Sequence, residues 1–141
     1  MQLYPYLTFN GNADEAMHFY QKVLGGKLSI SRFSDLPDFD LETSGLETAQ
    51  RVLNAQLQWD HAVFMASDTC PEQPSEPMQS VSIALELDDL NRSTDIYEAF
   101  ATDGEVIMPW APTFWAEGFG MVKDKFGVTW MINHHIKAAF T

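Results

Sequence analysis

The chain has 141 residues, 45% of them hydrophobic, and 8 basic against 20 acidic side chains leave a net charge of −12. A chain of this length buries roughly 70% of the surface that its unfolded form exposes, so the composition predicts one compact domain and excludes intrinsic disorder. The excess of acid, with no cluster of Lys or Arg, argues against nucleic acid or an anionic membrane surface as partner. No apolar run approaches the roughly 18 residues of a membrane span, so no membrane partner is expected. The start lacks a basic leader, which predicts a soluble, cytoplasmic protein.

Leu3 to Phe9 reads as a strand, and Asn10-Gly11-Asn12 as the turn after it. Asn12 is placed to cap a helix whose first turn carries Asp14 and Glu15 and whose apolar positions Ala16, Phe19, Tyr20, Val23 and Leu24 recur at helical spacing. Gly25 and Gly26 stop it, and Lys27 to Phe33 reads as a second strand. The polar stretch Asp35 to Gln50 reads as a loop. Val52 to Trp59 and Ala62 to Ala66 then form two strands around the tight Asp60-His61 link. The first module, residues 1–67, is therefore βαβββ.

Residues 68–80 carry three prolines without apolar periodicity and read as a surface connector. The single cysteine, Cys70, lies in it and has no disulfide partner in the chain. The order then starts again over residues 81–135. Val81 to Leu87 is a strand, Asn91 to Ala101 a helix ended by Gly104, and Val106 to Ala111 a strand. Phe119 to Lys123 and Val128 to Asn133 form a hairpin around Asp124-Lys125-Phe126-Gly127. Tyr20 and Tyr97 are 77 residues apart, and Gly26 and Gly104 are 78 apart, so a duplicated module is the simplest explanation. One helix covers only one face of a four-stranded sheet. The fold class expected is α+β, with two tandem βαβββ modules whose curled mixed sheets surround a cavity.

Residues 9–26, FNGNADEAMHFYQKVLGG, together with residues 114–133, FWAEGFGMVKDKFGVTWMIN, resemble the PhnB-like branch of the vicinal oxygen chelate superfamily, which includes glyoxalase I, bleomycin-resistance proteins and extradiol dioxygenases. The resemblance covers nearly the whole chain. It implies the paired βαβββ fold, a homodimer and a cavity in each curled sheet, and it implies no particular reaction, because the superfamily holds enzymes and pure binders.

In the superfamily's enzymes one divalent metal is held by about three His, Glu or Gln side chains on cavity-facing strands. The matched positions in this chain are Tyr4 or Pro5 and Ser82 on the first strands, Met131 and Met65 on the last, and Asn54 on the third. None is a ligand suited to such an ion. The remaining histidines do not rebuild a site: His134 and His135 are adjacent on a strand and point to opposite faces, His18 reads as a surface pair with Glu15, and His61 as a hairpin surface residue. No metal ligands and no cofactor are therefore expected. Cys70 offers no thiolate site, and no phosphate loop or nucleophile elbow is present.

Candidate ligand-binding residues follow from alternation. Asn54, Gln56 and Gln58 share one strand face, either lining the cavity with neutral donors and acceptors or meeting solvent or a dimer partner. Trp110, Phe114 and Trp115 either close one end of the cavity, stacking on a planar or cationic ligand, or pack at an interface. Tyr4 and Met131 complete the set, and Trp130 is expected in the core on the helix-covered side. Two functions are expected in turn: a metal-free binding protein for a small organic, cationic molecule, or a metal-dependent lyase or dioxygenase of the glyoxalase type with substituted ligands.

Overall fold

The computed structural model describes residues 1–140. The chain divides into two compact units, Met1–Glu76 and Pro77–Thr141. Among the described residues no helix is long and apolar enough to cross a membrane.

In the first unit, β1 (Tyr6–Phe9), α1 (Ala13–Leu24), β2 (Lys27–Arg32), α2 (Leu41–Gln50), β3 (Val52–Gln58) and β4 (Val63–Asp68) follow in order. The sheet runs β1-β4-β3-β2, with β1 parallel to β4 and the other neighbours antiparallel. The second unit has β5 (Ser82–Leu87), α3 (Leu90–Ala101), β6 (Glu105–Ala111), β7 (Ala116–Lys123) and β8 (Thr129–Ile136), and its sheet runs β5-β8-β7-β6 with the same pattern of directions. Apart from α2 in the first, both units follow the βαβββ order expected from the sequence, and each sheet is mixed.

Helix α1 buries Ala16, Met17, Tyr20 and Leu24 against Leu7, Phe9, Ala55, Leu57, Phe64 and Ala66 of the sheet. The rings of Tyr20 and Phe64 lie 5.4 Å apart. Each large apolar side chain so buried contributes about 1.5–3 kcal/mol. In the second unit Phe100 of α3 stacks on Trp130 at 4.6 Å, and Ile96, Val122 and Ile132 complete that core. Trp130 is thus on the helix-covered side, as alternation against Met131 predicts.

Several elements differ from expectation. The first strand begins at Tyr6, three residues later than Leu3, although the carbonyl of Pro5 still accepts from the amide of Met65 at 3.0 Å. The stretch read as a loop contains α2. Asp40 caps it by accepting from the amide of Glu42 at 3.0 Å, while Gly45, at φ 85°, breaks it internally. Only Ala49 of this helix is buried, so no apolar stripe announces it. Strand β4 runs on to Asp68 and β8 to Ile136. Asn12 makes no side-chain cap, a role that Asp68 takes instead.

His18 pairs with Asp14, at 2.8 Å, rather than with Glu15. Asp14 is also hydrogen-bonded and paired to Arg32. That hydrogen bond, helped by the charges of Arg32 and His18, holds the Asp14 carboxyl below its ordinary value of 3.8. A carboxyl depressed on folding adds stability that is present above 3.8 and disappears as pH falls through the folded value. The pair is over a third exposed, so the gain is under about 1 kcal/mol. Denaturation midpoints measured against pH are expected to show Asp14→Asn below the wild type at neutral pH, with the gap closing in acid.

Candidate functional site

Because side chains alternate along a strand, each sheet has one face under its helix and one facing away. The register of the strands decides what the uncovered face carries. In the first unit one row across the sheet is Tyr6, Met65, Gln56 and Ser29. Beside it stand Thr8 and Ser67 on one side, and Val63, Gln58 and Lys27 on the other. Asn54 and Ser31, opposite each other, share this face, and Gln56 Nε2 donates to Asn54 Oδ1 at 3.3 Å. Asn54, Gln56, Met65, Ser67 and Ser31 are half-buried, while Tyr6 is 50% exposed. The middle of this face is a patch of uncharged amides and hydroxyls with one phenol and one thioether, and Lys27 stands at its edge beside Gln58.

At one end of the patch Tyr4 and Gln58 join Trp59, Asp60, His61 and Val63 around a groove of about 450 Å³. The hydroxyl of Tyr4 donates to Gln2 Oε1. Trp59 is fixed by a bond from Nε1 to the carbonyl of Leu24 at 3.4 Å and by lying over Gly26, where a Cβ would stand 2.8 Å from its ring. Four sequence candidates, Tyr4, Asn54, Gln56 and Gln58, therefore fall in one region. A second cavity of about 390 Å³, lined by Phe33, Leu36, Phe39, Thr43 and Cys70, lies beside α2.

The second unit's uncovered face is chemically different. Its central row is Ala84, Met131, Met121 and Met108. The row on one side is Glu86, Asn133, Phe119 and Ala111, and on the other Ser82, Thr129, Lys123 and Glu105. Trp115 packs edge-on to Phe119 at 5.2 Å and its Nε1 donates to Asn133 Oδ1 at 3.2 Å. Phe114, 73% exposed, meets Trp115 at 4.9 Å. Phe114, Trp115 and Met131 thus belong to this side of the sheet. Trp110 does not: it lies against Tyr97 of α3 at 5.6 Å and over Gly118 and Gly120, on the helix-covered face.

The donors on these two faces are amides, hydroxyls and thioethers, with Glu86 and Glu105 carboxylates in the rows on either side of the second face's central one. A divalent ion of the kind the fold family implies needs about three nitrogen or carboxylate ligands, and these residues do not fit it. Among the described residues no three His, Cys, Asp or Glu side chains come together. The rings of His134 and His135 are 6.4 Å apart; His134 stands 3.7 Å from Glu117 and His135 3.5 Å from Asp88. Tyr6, Ser29, Met108 and Met121 were not singled out by sequence. For Tyr6 the signal was present, because it shares the parity of Tyr4; for the others it required the cross-strand register.

A family model described as 3-demethylubiquinone-9 3-methyltransferase matches residues 1–133. Protein YjdN of Escherichia coli is 32% identical over 140 residues, covering 94% of this chain and 95% of its own. The crystal structure of protein PA1353 from Pseudomonas aeruginosa is 38% identical, covers 96% of this chain and 98% of its own, and superposes with a TM-score of 0.85. A PhnB protein from Bacillus cereus, at 23% identity, shares the fold with a TM-score of 0.71 over 95% of this chain and 99% of its own. The fold is that of the glyoxalase, bleomycin-resistance and dioxygenase proteins.

Proposed function

The chain belongs to the PhnB-like family whose model is described as 3-demethylubiquinone-9 3-methyltransferase, and from that membership and the make-up of its sheet faces we propose that it is a small-molecule binding protein working without a divalent metal. The observation that carries this reading is the uncovered face of the first unit, where Asn54, Gln56, Ser29, Ser31 and Tyr6 present neutral hydrogen-bonding groups next to the Tyr4–Gln58 groove. Orienting a small organic ligand needs such groups on a concave or half-covered surface. The net charge of −12 favours a cationic ligand through long-range attraction. A metal-dependent lyase or dioxygenase would need donors that neither face supplies.

The methyl transfer in the family's description finds little support in the first unit. A nucleotide cofactor is commonly held at a helix N-terminus after a glycine-rich turn. The amides of Gly11 and Ala13, which open α1, are already taken by the carboxylate of Asp68. A cytoplasmic location agrees with a lone cysteine, and a homodimer with sheets that have one helix each.

The test is titration with a primary alkylammonium amphiphile, whose head can donate to the Gln56 side-chain oxygen, followed by tryptophan fluorescence, since Trp59 lines the groove. Saturable quenching is expected, unchanged by a chelator of divalent ions. Gln56→Leu is expected to weaken it about 5–10-fold, the equivalent of one hydrogen bond at about 1 kcal/mol, without lowering the melting temperature. Affinity that vanishes on chelation, or that ignores both Gln56→Leu and Asn54→Leu, overturns the reading. Light scattering at a mass of two chains checks the dimer.

A further inference from the structure

Three of the seven methionines stand in one row. Met108 of β6 is directly opposite Met121 of β7, which is directly opposite Met131 of β8. Neighbouring strands are about 4.8 Å apart, so both outer side chains need only lean inward for three sulfurs to gather above the central strand. Methionine, unbranched and with three rotatable bonds, does this readily. The row ends in the short side chain of Ala84, which leaves the space beside Met131 open.

These sulfurs are not filling a core. All three lie on the face turned away from α3, Met108 is 44% exposed, and Met121 and Met131 are half-buried. The first unit provides an internal comparison, because its equivalent row reads Tyr6, Met65, Gln56 and Ser29. The same fold therefore accepts an amide and a hydroxyl where the second unit has two thioethers. The methionine row is a chemical choice beyond what the sheet requires.

A thioether is a neutral, soft donor. It has little affinity for hard or borderline divalent ions and selects soft monovalent ones such as Cu(I). The charges around the row suit a cation: Glu86 lies in the adjoining row on one side, while on the other Lys123 is opposed by Glu105. We propose that Met108, Met121 and Met131 form a three-thioether site for one soft monovalent cation of the Cu(I) class. This site shares no residue with the amide patch of the first unit, and binding there involves no electron transfer.

The experiment uses the full chain carrying Cys70→Ser, because the one thiol would otherwise compete for the ion. Calorimetric titration with Ag(I), which is redox-inert, is paired with a Cu(I) competition assay under ascorbate. One ion per chain is expected. Met121→Leu keeps the apolar volume and removes only the sulfur, and is expected to weaken binding at least tenfold. Met65→Leu, at the equivalent place in the first unit, is expected to leave it unchanged. Absence of uptake, insensitivity to Met121→Leu, or an equal loss in Met65→Leu overturns the proposal. Retention of the amphiphile by Met121→Leu separates this outcome from that of the first unit's patch.

Discussion

Asp68→Ala is expected to destabilise the first unit by about 3–5 kcal/mol, enough to remove much of the stability of a domain this size. The carboxylate is 5% exposed and accepts three backbone bonds: Oδ1 from Gly11 at 2.9 Å and Ala13 at 3.0 Å, and Oδ2 from Val52 at 2.9 Å. It thereby ties the end of β4 to the start of α1 and to the first residue of β3. Helix N-termini leave amides that the helix cannot satisfy, and each buried donor that loses its acceptor costs about 1–3 kcal/mol. Asp68→Asn keeps one oxygen for Gly11 and Ala13 but turns an amino group toward the Val52 amide, so it is expected to lose roughly half as much. Urea denaturation measures the loss, and hydrogen exchange locates it, since protection should fall at Gly11, Ala13 and Val52. A loss below about 1 kcal/mol for Asp68→Ala shows that another group caps the helix.

The role of Asp68 also shows where a linear reading stops. Asn12, a favoured capping residue type at the correct place, suggested a local cap, but the cap on the Ala13 amide comes from Asp68, 55 positions beyond Ala13. Pairing of β1 with β4 places it there, and that partnership is not written in either segment alone. By contrast, features set by alternation were legible. Asn54, Gln56 and Gln58 occupy one face because β3 is regular from Asn54 to Gln58, and Trp130 faces the helix because Met131 does not. Helix α2 was illegible because LETSGLETAQ buries only Ala49 and is broken at Gly45.

Trp110 fails to join Phe114 and Trp115 for a related reason. Strand β6 carries irregularities between Val106 and Met108 and again between Met108 and Ala111. Each bulge resets which side chains point to which face, so parity counted along the sequence does not survive the strand. Pro109 lies within it, tolerated because β6 is at the sheet edge. The same irregularity brings Met108 opposite Met121, a juxtaposition that composition could not reveal.

Gly104→Ala is expected to cost the second unit about 3 kcal/mol or more, and for a reason other than the one that its position suggests. A glycine just past a helix reads as the residue that takes up a left-handed conformation. In this unit that conformation falls on Asp103, at φ 59°, and Gly104 is not among the positive-φ glycines. What requires glycine at 104 is proximity: a Cβ there would lie 2.4 Å from the carbonyl oxygen of Lys123, 2.7 Å from that of Phe100 and 3.2 Å from Cα of Asp124. All three are backbone atoms, of β7, α3 and the turn after β7, so no side-chain rotation relieves the clash and the helix end must separate from the sheet. Gly25 is the contrasting case, with φ 76° and no atom within 4 Å of an added Cβ. Gly25→Ala is expected to lose about 1–3 kcal/mol from backbone strain alone, because φ 76° with ψ −160° is a region essentially reserved for glycine. Denaturation of both variants gives the comparison, and a Gly104→Ala protein no less stable than Gly25→Ala shows that α3 and β7 can move apart without loss.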